Sequence, residues 1–185
     1  AGGELRPGQK VLINGAGGGV GTFALQIAKA AGAEVTAVDS APKLEMLRAL
    51  GADQVLDYAR EDFTRTGHRY DLILDVKTNR PPSAYGRALE PGGTYATVGG
   101  SLVRLLQALL LGPVYARFRG KRLRVVMLRP NRDLALVEAL FHAGRLVPVI
   151  DGPRPLAELP DALRIFGRAE HQGKVILVTE ANQSA

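Results

Sequence analysis

Residues 10–39 read KVLINGAGGGVGTFALQIAKAAGAEVTAVD. An apolar run of strand length, Lys10–Asn14, enters a glycine-rich turn, then a helical stretch over Thr22–Ala31, then a second apolar run, Glu34–Asp39. Strand, tight turn, helix and strand in this order predict a β-α-β unit with a parallel pair of strands. The turn delivers the chain to a helix N-terminus, where free N–H groups and the positive end of the helix dipole attract an anion such as a pyrophosphate.

Outward from this unit the alternation continues. Gln54–Asp57, Tyr70–Asp75 and Gly93–Val98 read as further strands, with helical stretches at Pro42–Leu50 and Pro82–Leu89 between them. Most of these strands are nearly continuous in apolar residues, as strands covered on both faces are. Ser40 is placed as an N-cap, Pro42 stands in the first helical turn, and Gly32 and Gly51 follow helix ends. Right-handed β-α-β crossovers then predict an α/β fold built on a doubly wound parallel sheet. Beyond Gly100 the pattern predicts an apolar, basic helix over Leu102–Phe118, a strand Val125–Leu128, a helix Asn131–Ala143 stopped by Gly144, a strand Val147–Asp151, a helix Leu156–Ala169 and a strand Lys174–Thr179.

Composition sets limits. The chain has 185 residues, 46% hydrophobic residues, 22 glycines and no cysteine. Disulfides and thiolate metal sites are therefore excluded, and a cytoplasmic enzyme is expected. The net charge of +6 suits an anionic nucleotide as well as nucleic acid, and no recognition helix or aromatic RNA platform accompanies it, so no nucleic-acid role is expected. The apolar stretch Leu102–Leu111 contains Arg104 and Gln107 and is too short to span a bilayer. Its leucines at 102, 105, 106, 109 and 110 share one helical face, for which packing is expected rather than membrane contact.

The glycine turn is close to the G-x-G-x-x-G dinucleotide fingerprint, with Ala16-Gly17-Gly18-Gly19-Val20-Gly21 in the matching frame and alanine at its first position. Gly18 would let a pyrophosphate approach the backbone and Gly21 would let helix and strand pack closely. Asp39 lies 18 residues beyond Gly21, where an acid can hold the hydroxyls of an adenosine ribose and repel a 2′-phosphate. That favours NAD over NADP, although Lys43, one turn on, could pair with a 2′-phosphate. His68, His142 and His171 are far apart in sequence and are read as surface or capping residues. No zinc site and no protein-borne catalytic acid, base or nucleophile is expected.

The blocks GAGGGVGTFALQIAKAAGAEVTAV, LRALGADQVLDYAREDF, YDLILDV, LEPGGTYATVGG, LVPVID and GKVILV, in this order, resemble the zinc-independent quinone oxidoreductase branch of the medium-chain dehydrogenase/reductase family. The resemblance runs from about Leu5 to Val178. It implies a six-stranded Rossmann sheet that binds NADH or NADPH and an enzyme that reduces quinones, enones or related carbonyl compounds. It also implies a GroES-like catalytic domain before Ala1, a dinucleotide-binding domain over 1–147, and a return segment of the catalytic domain over 148–185. Carried over by motif are Ala16, Gly17, Gly18, Gly19, Val20 and Gly21 of the loop, then Asp39, Ser40, Lys43 and Tyr58 at the adenosine end. Asp75, Val76, Val98, Gly99 and Gly100 are expected near the nicotinamide. Asp75-Val76-Lys77-Thr78 departs from the family's usual Asp-x-Val-Gly. The strand at Val125–Leu128 resembles the edge through which family dimers join, so a homodimer is expected. Two other readings remain open at this stage: a non-catalytic nucleotide-binding or dimerisation module, and an S-adenosylmethionine-dependent methyltransferase-like domain, against which Asn14 stands where that class carries an acid.

Overall fold

The computed structural model of the protein describes residues 5–99, 102–126 and 134–179. The first strand, β1 (Lys10–Asn14), leads through the glycine turn to α1 (Gly21–Ala30) and β2 (Glu34–Asp39). A single 3-10 turn, Ala41–Lys43, runs into α2 (Leu44–Ala49), followed by β3 (Gln54–Asp57), β4 (Tyr70–Asp75), α3 (Pro82–Ala88) and β5 (Leu89–Thr97). The chain continues as α4 (Leu102–Arg119), β6 (Arg122–Val125), α5 (Leu134–His142), β7 (Ile150–Pro155), a 3-10 turn Leu156–Glu158, α6 (Leu159–Gly167) and β8 (Lys174–Val178).

Six parallel strands form one sheet in the order β3-β2-β1-β4-β5-β6. The order reverses direction between β1 and β4, so the connections leaving these two strands run to opposite faces and open a crevice at their carboxyl ends. The register places Asn14 beside both Val38 and Asp75, which brings the glycine turn, the end of β2 and the end of β4 to that edge. Alternate residues of each strand feed different cores. Val11, Ile13, Val35 and Ala37 pack with Leu25, Ala28 and Leu47 on one face. Leu12, Val38 and Ile73 pack with Phe63, Tyr85, Leu89 and Tyr95 on the other. Burial of each large side chain among these contributes about 1.5–3 kcal/mol, so the crevice rests on a buried core on both faces of the sheet.

The later elements differ from the sequence reading in instructive ways. The sixth strand is Arg122–Val125 rather than Val125–Leu128, whose last residues lie outside those described. It is half-buried, with Leu123 turned inward and Arg122 and Arg124 exposed, so it alternates instead of forming a continuous apolar run. Residues 131–133 of the expected helix Asn131–Ala143 also lie outside the described residues, and α5 is seen from Leu134. β7 begins at Ile150 and runs through Gly152 and Pro153. Proline is tolerated there because the strand belongs to a sheet of only two strands, β7 and β8. Ser40 precedes the 3-10 turn but caps nothing: its hydroxyl lies 3.4 Å from Asp39 Oδ1. Of the α4 leucines expected to pack, Leu106, Leu109 and Leu110 are exposed, and the side chains of Leu102 and Leu105 lie outside those described.

Candidate functional site

The glycine loop is held from three sides. Gly21 packs against the start of the loop so closely that a Cβ there would lie 2.3 Å from the Gly15 carbonyl oxygen. The amide of Gly17 donates to Asp39 Oδ2 at 2.7 Å, and the amide of Ser40 donates to Asp39 Oδ1 at 2.9 Å. From the third side, Gly173 donates its amide to the Gly17 carbonyl at 2.9 Å, and Gly18 bridges Gly173. Only glycine fits at 173, with φ +65° and a Cβ that would lie 2.2 Å from the Val149 carbonyl oxygen. The residues before β8 thus form the wall opposite the N-terminus of α1.

Between these walls lies a cavity of about 380 Å³, bordered by Gly18, Gly19, Val20, Asp39, Lys43, Val76, Lys77, His171 and Lys174 among others. That volume is in the range of small-molecule sites. The N-terminus of α1 has no side-chain cap and no acidic residue in its first turn. The positive end of its dipole therefore faces an anion's position without a competing carboxylate from the helix itself. A second cavity, about 360 Å³ between α1, α2 and the loop after α5, is bordered by Lys29, Leu50, Arg145 and Val147 and lies away from the strand ends.

The charged groups of the first cavity are unequal. Lys43 is buried at 3% exposure, and its Nζ donates to the Ala169 carbonyl at 2.7 Å while standing 3.6 Å from Asp39 Oδ1. It is thereby turned toward the wall and not toward the mouth of the site. Lys77 and Lys174 are exposed. The stem of Lys77 lies along the loop, its Cγ 3.0 Å from where a Cβ of Gly15 would stand. Lys174 flanks Gly19 in the same way, its Nζ 3.0 Å from the corresponding point. His171 is buried, and desolvation first, then the charges of Lys43 and Lys77, push its imidazole below the usual histidine range.

Asp75 has a structural role beneath the site. It is fully buried, and its Oδ1 accepts from Asn14 Nδ2 at 2.8 Å and the Thr78 amide at 2.8 Å. Its Oδ2 accepts from the Tyr95 hydroxyl at 2.8 Å. The carboxylate thus ties β1, β5 and the turn after β4 together. Burial, then the charge of Asp75, raises both Tyr85 and Tyr95 far above the ordinary phenol range. In that turn Thr78 takes φ +45°, and its hydroxyl bonds Thr97 Oγ1 and the Gly99 carbonyl.

Of the residues expected at the site, Gly18, Gly19, Val20, Asp39, Lys43 and Val76 border the cavity together. Ala16, Gly17 and Gly21 are buried in the loop's own packing. Tyr58 is exposed and touches the Asp39 end through its amide, which donates to the Asp39 carbonyl at 3.2 Å. Val98 and Gly99 lie at the end of β5 beside Asp75, outside the cavity wall, and Gly100 lies outside the described residues. The sequence reading missed Lys77, Gly173 and Lys174, and it took His171 for a surface or capping residue, whereas it is buried in the wall. His68 and His142 are exposed as expected. Among the described residues no group of three His, Cys, Asp or Glu side chains is placed to hold a metal ion, and no helix is long and apolar enough to cross a membrane.

Comparison with known proteins gives this geometry its relatives. The zinc-binding dehydrogenase family matches residues 50–177. The chain is similar to the spectinabilin polyketide synthase system protein NorB of Streptomyces orinoci, with 34% identity over 94% of this chain and 8% of that protein. It is also similar to the mitochondrial NAD(P)H oxidoreductase RTN4IP1 of Mus musculus, with 33% identity over 92% of this chain and 48% of that one. Among solved structures, an NAD-dependent alcohol dehydrogenase superposes with a TM-score of 0.78 at 27% identity, over 94% of this chain and 52% of its own. The chain thus spans about half the length of the latter two relatives and less than a tenth of the first.

Proposed function

The chain belongs to the zinc-binding dehydrogenase family, and from that premise we propose that it is the dinucleotide-binding part of an oxidoreductase that reduces a quinone, an enone or a related carbonyl compound. The observation that carries the proposal is the uncapped N-terminus of α1, entered through a glycine loop at the reversal of a parallel sheet, with Asp39 at the end of the neighbouring strand. The residues present fit a nicotinamide dinucleotide. Gly18, with no neighbour nearer than 3.9 Å to a Cβ, leaves open backbone for a pyrophosphate. Gly19, Val20 and the side chains of Lys77 and Lys174 surround that position, and Asp39 stands where an adenosine ribose would end. When bound, the dinucleotide supplies the hydride, and the chain binds and orients it.

NADH is the proposed partner over NADPH. Asp39 opposes a 2′-phosphate, and Lys43, the cation that could have attracted one, is engaged with the Ala169 carbonyl and with Asp39 itself. The enzyme is proposed to be zinc-independent, in keeping with a chain that contains no cysteine. The division into a dinucleotide-binding domain over 1–147 and a return segment over 148–185 of a catalytic domain is part of the same proposal. So is a homodimer joined near β6 and the exposed leucines of α4.

Calorimetric titration of the chain with NADH, NADPH and S-adenosylmethionine in parallel tests this reading. Saturable NADH binding that weakens about tenfold or more in Asp39→Ala is expected. Tighter NADPH binding would reverse the cofactor preference. Binding of S-adenosylmethionine alone would overturn the oxidoreductase reading.

A further inference from the structure

His171 stands in the cavity wall in a state that needs a partner. Its ring is stacked on Phe166 with centroids 4.7 Å apart, it is only 9% exposed, and among the described residues its Nδ1 is buried without a hydrogen-bond partner. A buried polar nitrogen without a partner is destabilising, so its persistence in a wall of the site calls for an explanation.

The charges around it are cationic in balance. Lys43 faces it from the turn after β2, Lys77 from the turn after β4, and Lys174 borders the same cavity from β8. The carboxylates that face it are Asp39 and Asp151. Both are engaged elsewhere: Asp39 accepts the amides of Gly17 and Ser40, and Asp151 accepts Arg154 Nη2 at 2.8 Å and the Gln172 amide at 3.1 Å. An imidazolium here would be one more cation among three lysines. A bound pyrophosphate would reverse that balance, because its negative charge would sit between the α1 N-terminus and the lysines.

We propose that His171 is a proton-linked binding residue for the dinucleotide's pyrophosphate: it is neutral in the ligand-free chain and takes up a proton from solvent as the pyrophosphate binds. No covalent bond is made or broken, and the proton remains on the imidazole as a counter-charge to the anion. Burial and the lysines hold the free imidazole below its ordinary range, which leaves a proton to be gained near neutrality. The inference rests on the dinucleotide reading above and adds a residue and a linkage to it.

The test is NADH binding to the whole chain, measured calorimetrically near pH 7 in buffers of different ionisation enthalpy. The wild type is expected to take up a large fraction of one proton per NADH, with affinity falling several-fold between pH 6 and pH 8 and by about tenfold per unit at most. His171→Gln is expected to bind NADH with little proton uptake and a flat pH profile. Adenosine, which lacks the pyrophosphate, should bind without uptake. Proton NMR titration of His171 in the wild type, with and without NADH, supplies the same answer without a variant, and its pKa should rise with the ligand. NADH binding without proton uptake, or uptake unchanged in His171→Gln, overturns the proposal while leaving the dinucleotide reading standing. Absence of binding by NADH and NADPH alike overturns both.

Discussion

The amide of Gly17 points at Asp39 and donates to its Oδ2 at 2.7 Å, so the acid at the end of β2 is a strut of the glycine loop before it is anything else. It also lies 3.6 Å from the buried ammonium of Lys43. Removal of one partner from a buried charged pair is costly because the other charge is stranded. Asp39→Ala is therefore expected to destabilise the chain by about 3 kcal/mol. Asp39→Asn, which keeps an acceptor for Gly17, should cost less. Urea unfolding checks this, and an Asp39→Ala midpoint equal to the wild type would exclude the strut.

The pH dependence of stability divides into separate windows. His171 has a folded pKa below its ordinary 6.5, set by burial and then by Lys43 and Lys77. Below 6.5 the unfolded chain binds a proton that the folded chain does not, so this contribution is complete above 6.5 and is lost as pH falls toward the folded value. Asp151, held down by its bond to Arg154, loses its contribution only at more acid pH, below its ordinary 3.8. Tyr85 and Tyr95 act at the other end. Their raised folded pKa values mean that stability is complete below pH 10 and declines as the unfolded phenols ionise above it. Thermal unfolding followed from pH 5 to pH 8 should show a falling acid limb that His171→Gln flattens. Phenolate absorbance should show at least two tyrosines that titrate only as the protein unfolds.

How far the site could be read from the sequence follows from the range of the contacts. The glycine loop and Asp39 are legible because a β-α-β unit is local: its turn, helix and two strands lie within residues 10–39 and carry their own periodicity. The first five strands of the sheet could be read for the same reason, although β5 begins at Leu89 and not at Gly93. The wall at Gly173 and Lys174 could not, because it meets the loop across more than 150 residues through an isolated backbone contact of Gly173 with Gly17 and Gly18, which leaves no periodic trace. His171 looked like a loop residue because its ring stacks on Phe166 and feels the charges of Lys43 and Lys77, contacts that sequence spacing does not announce. Arg122–Val125 was misplaced because an edge strand shows one apolar face rather than two.

Thr78 is a β-branched residue held at φ +45°. The left-handed region costs such a residue about 1–2 kcal/mol, and its hydroxyl contacts with Thr97 and the Gly99 carbonyl offset that strain. Thr78→Ala keeps most of the strain and loses the hydroxyl, so it is expected to be destabilising by about 1–3 kcal/mol. Thr78→Gly loses the hydroxyl but releases the strain, and should be the milder substitution by roughly 1 kcal/mol. Urea melts of the two variants decide the matter. Equal losses, or a worse glycine variant, would mean that the backbone conformation at 78 is not strained.

Exposed apolar side chains of α4 make self-association the expected state of the chain. Val103, Leu109 and Leu110 are 62%, 57% and 74% exposed, and the helix packs beside β6, the final strand of the six-stranded sheet. Adjacent exposed leucines beside a sheet edge favour association, because burying each removes apolar area worth roughly 25 cal/mol per Å² from water. The chain is therefore expected to self-associate in sedimentation velocity experiments at micromolar concentration. Leu109→Glu combined with Leu110→Glu should shift it to monomer. Because both positions are exposed within one chain, each substitution should change unfolding stability by no more than about 0.5 kcal/mol at a concentration where the wild type is already dissociated. A wild type that stays monomeric across a wide concentration range would remove the homodimer from the proposed function. Association that survives the double substitution would move the interface off α4, toward the edge of β6.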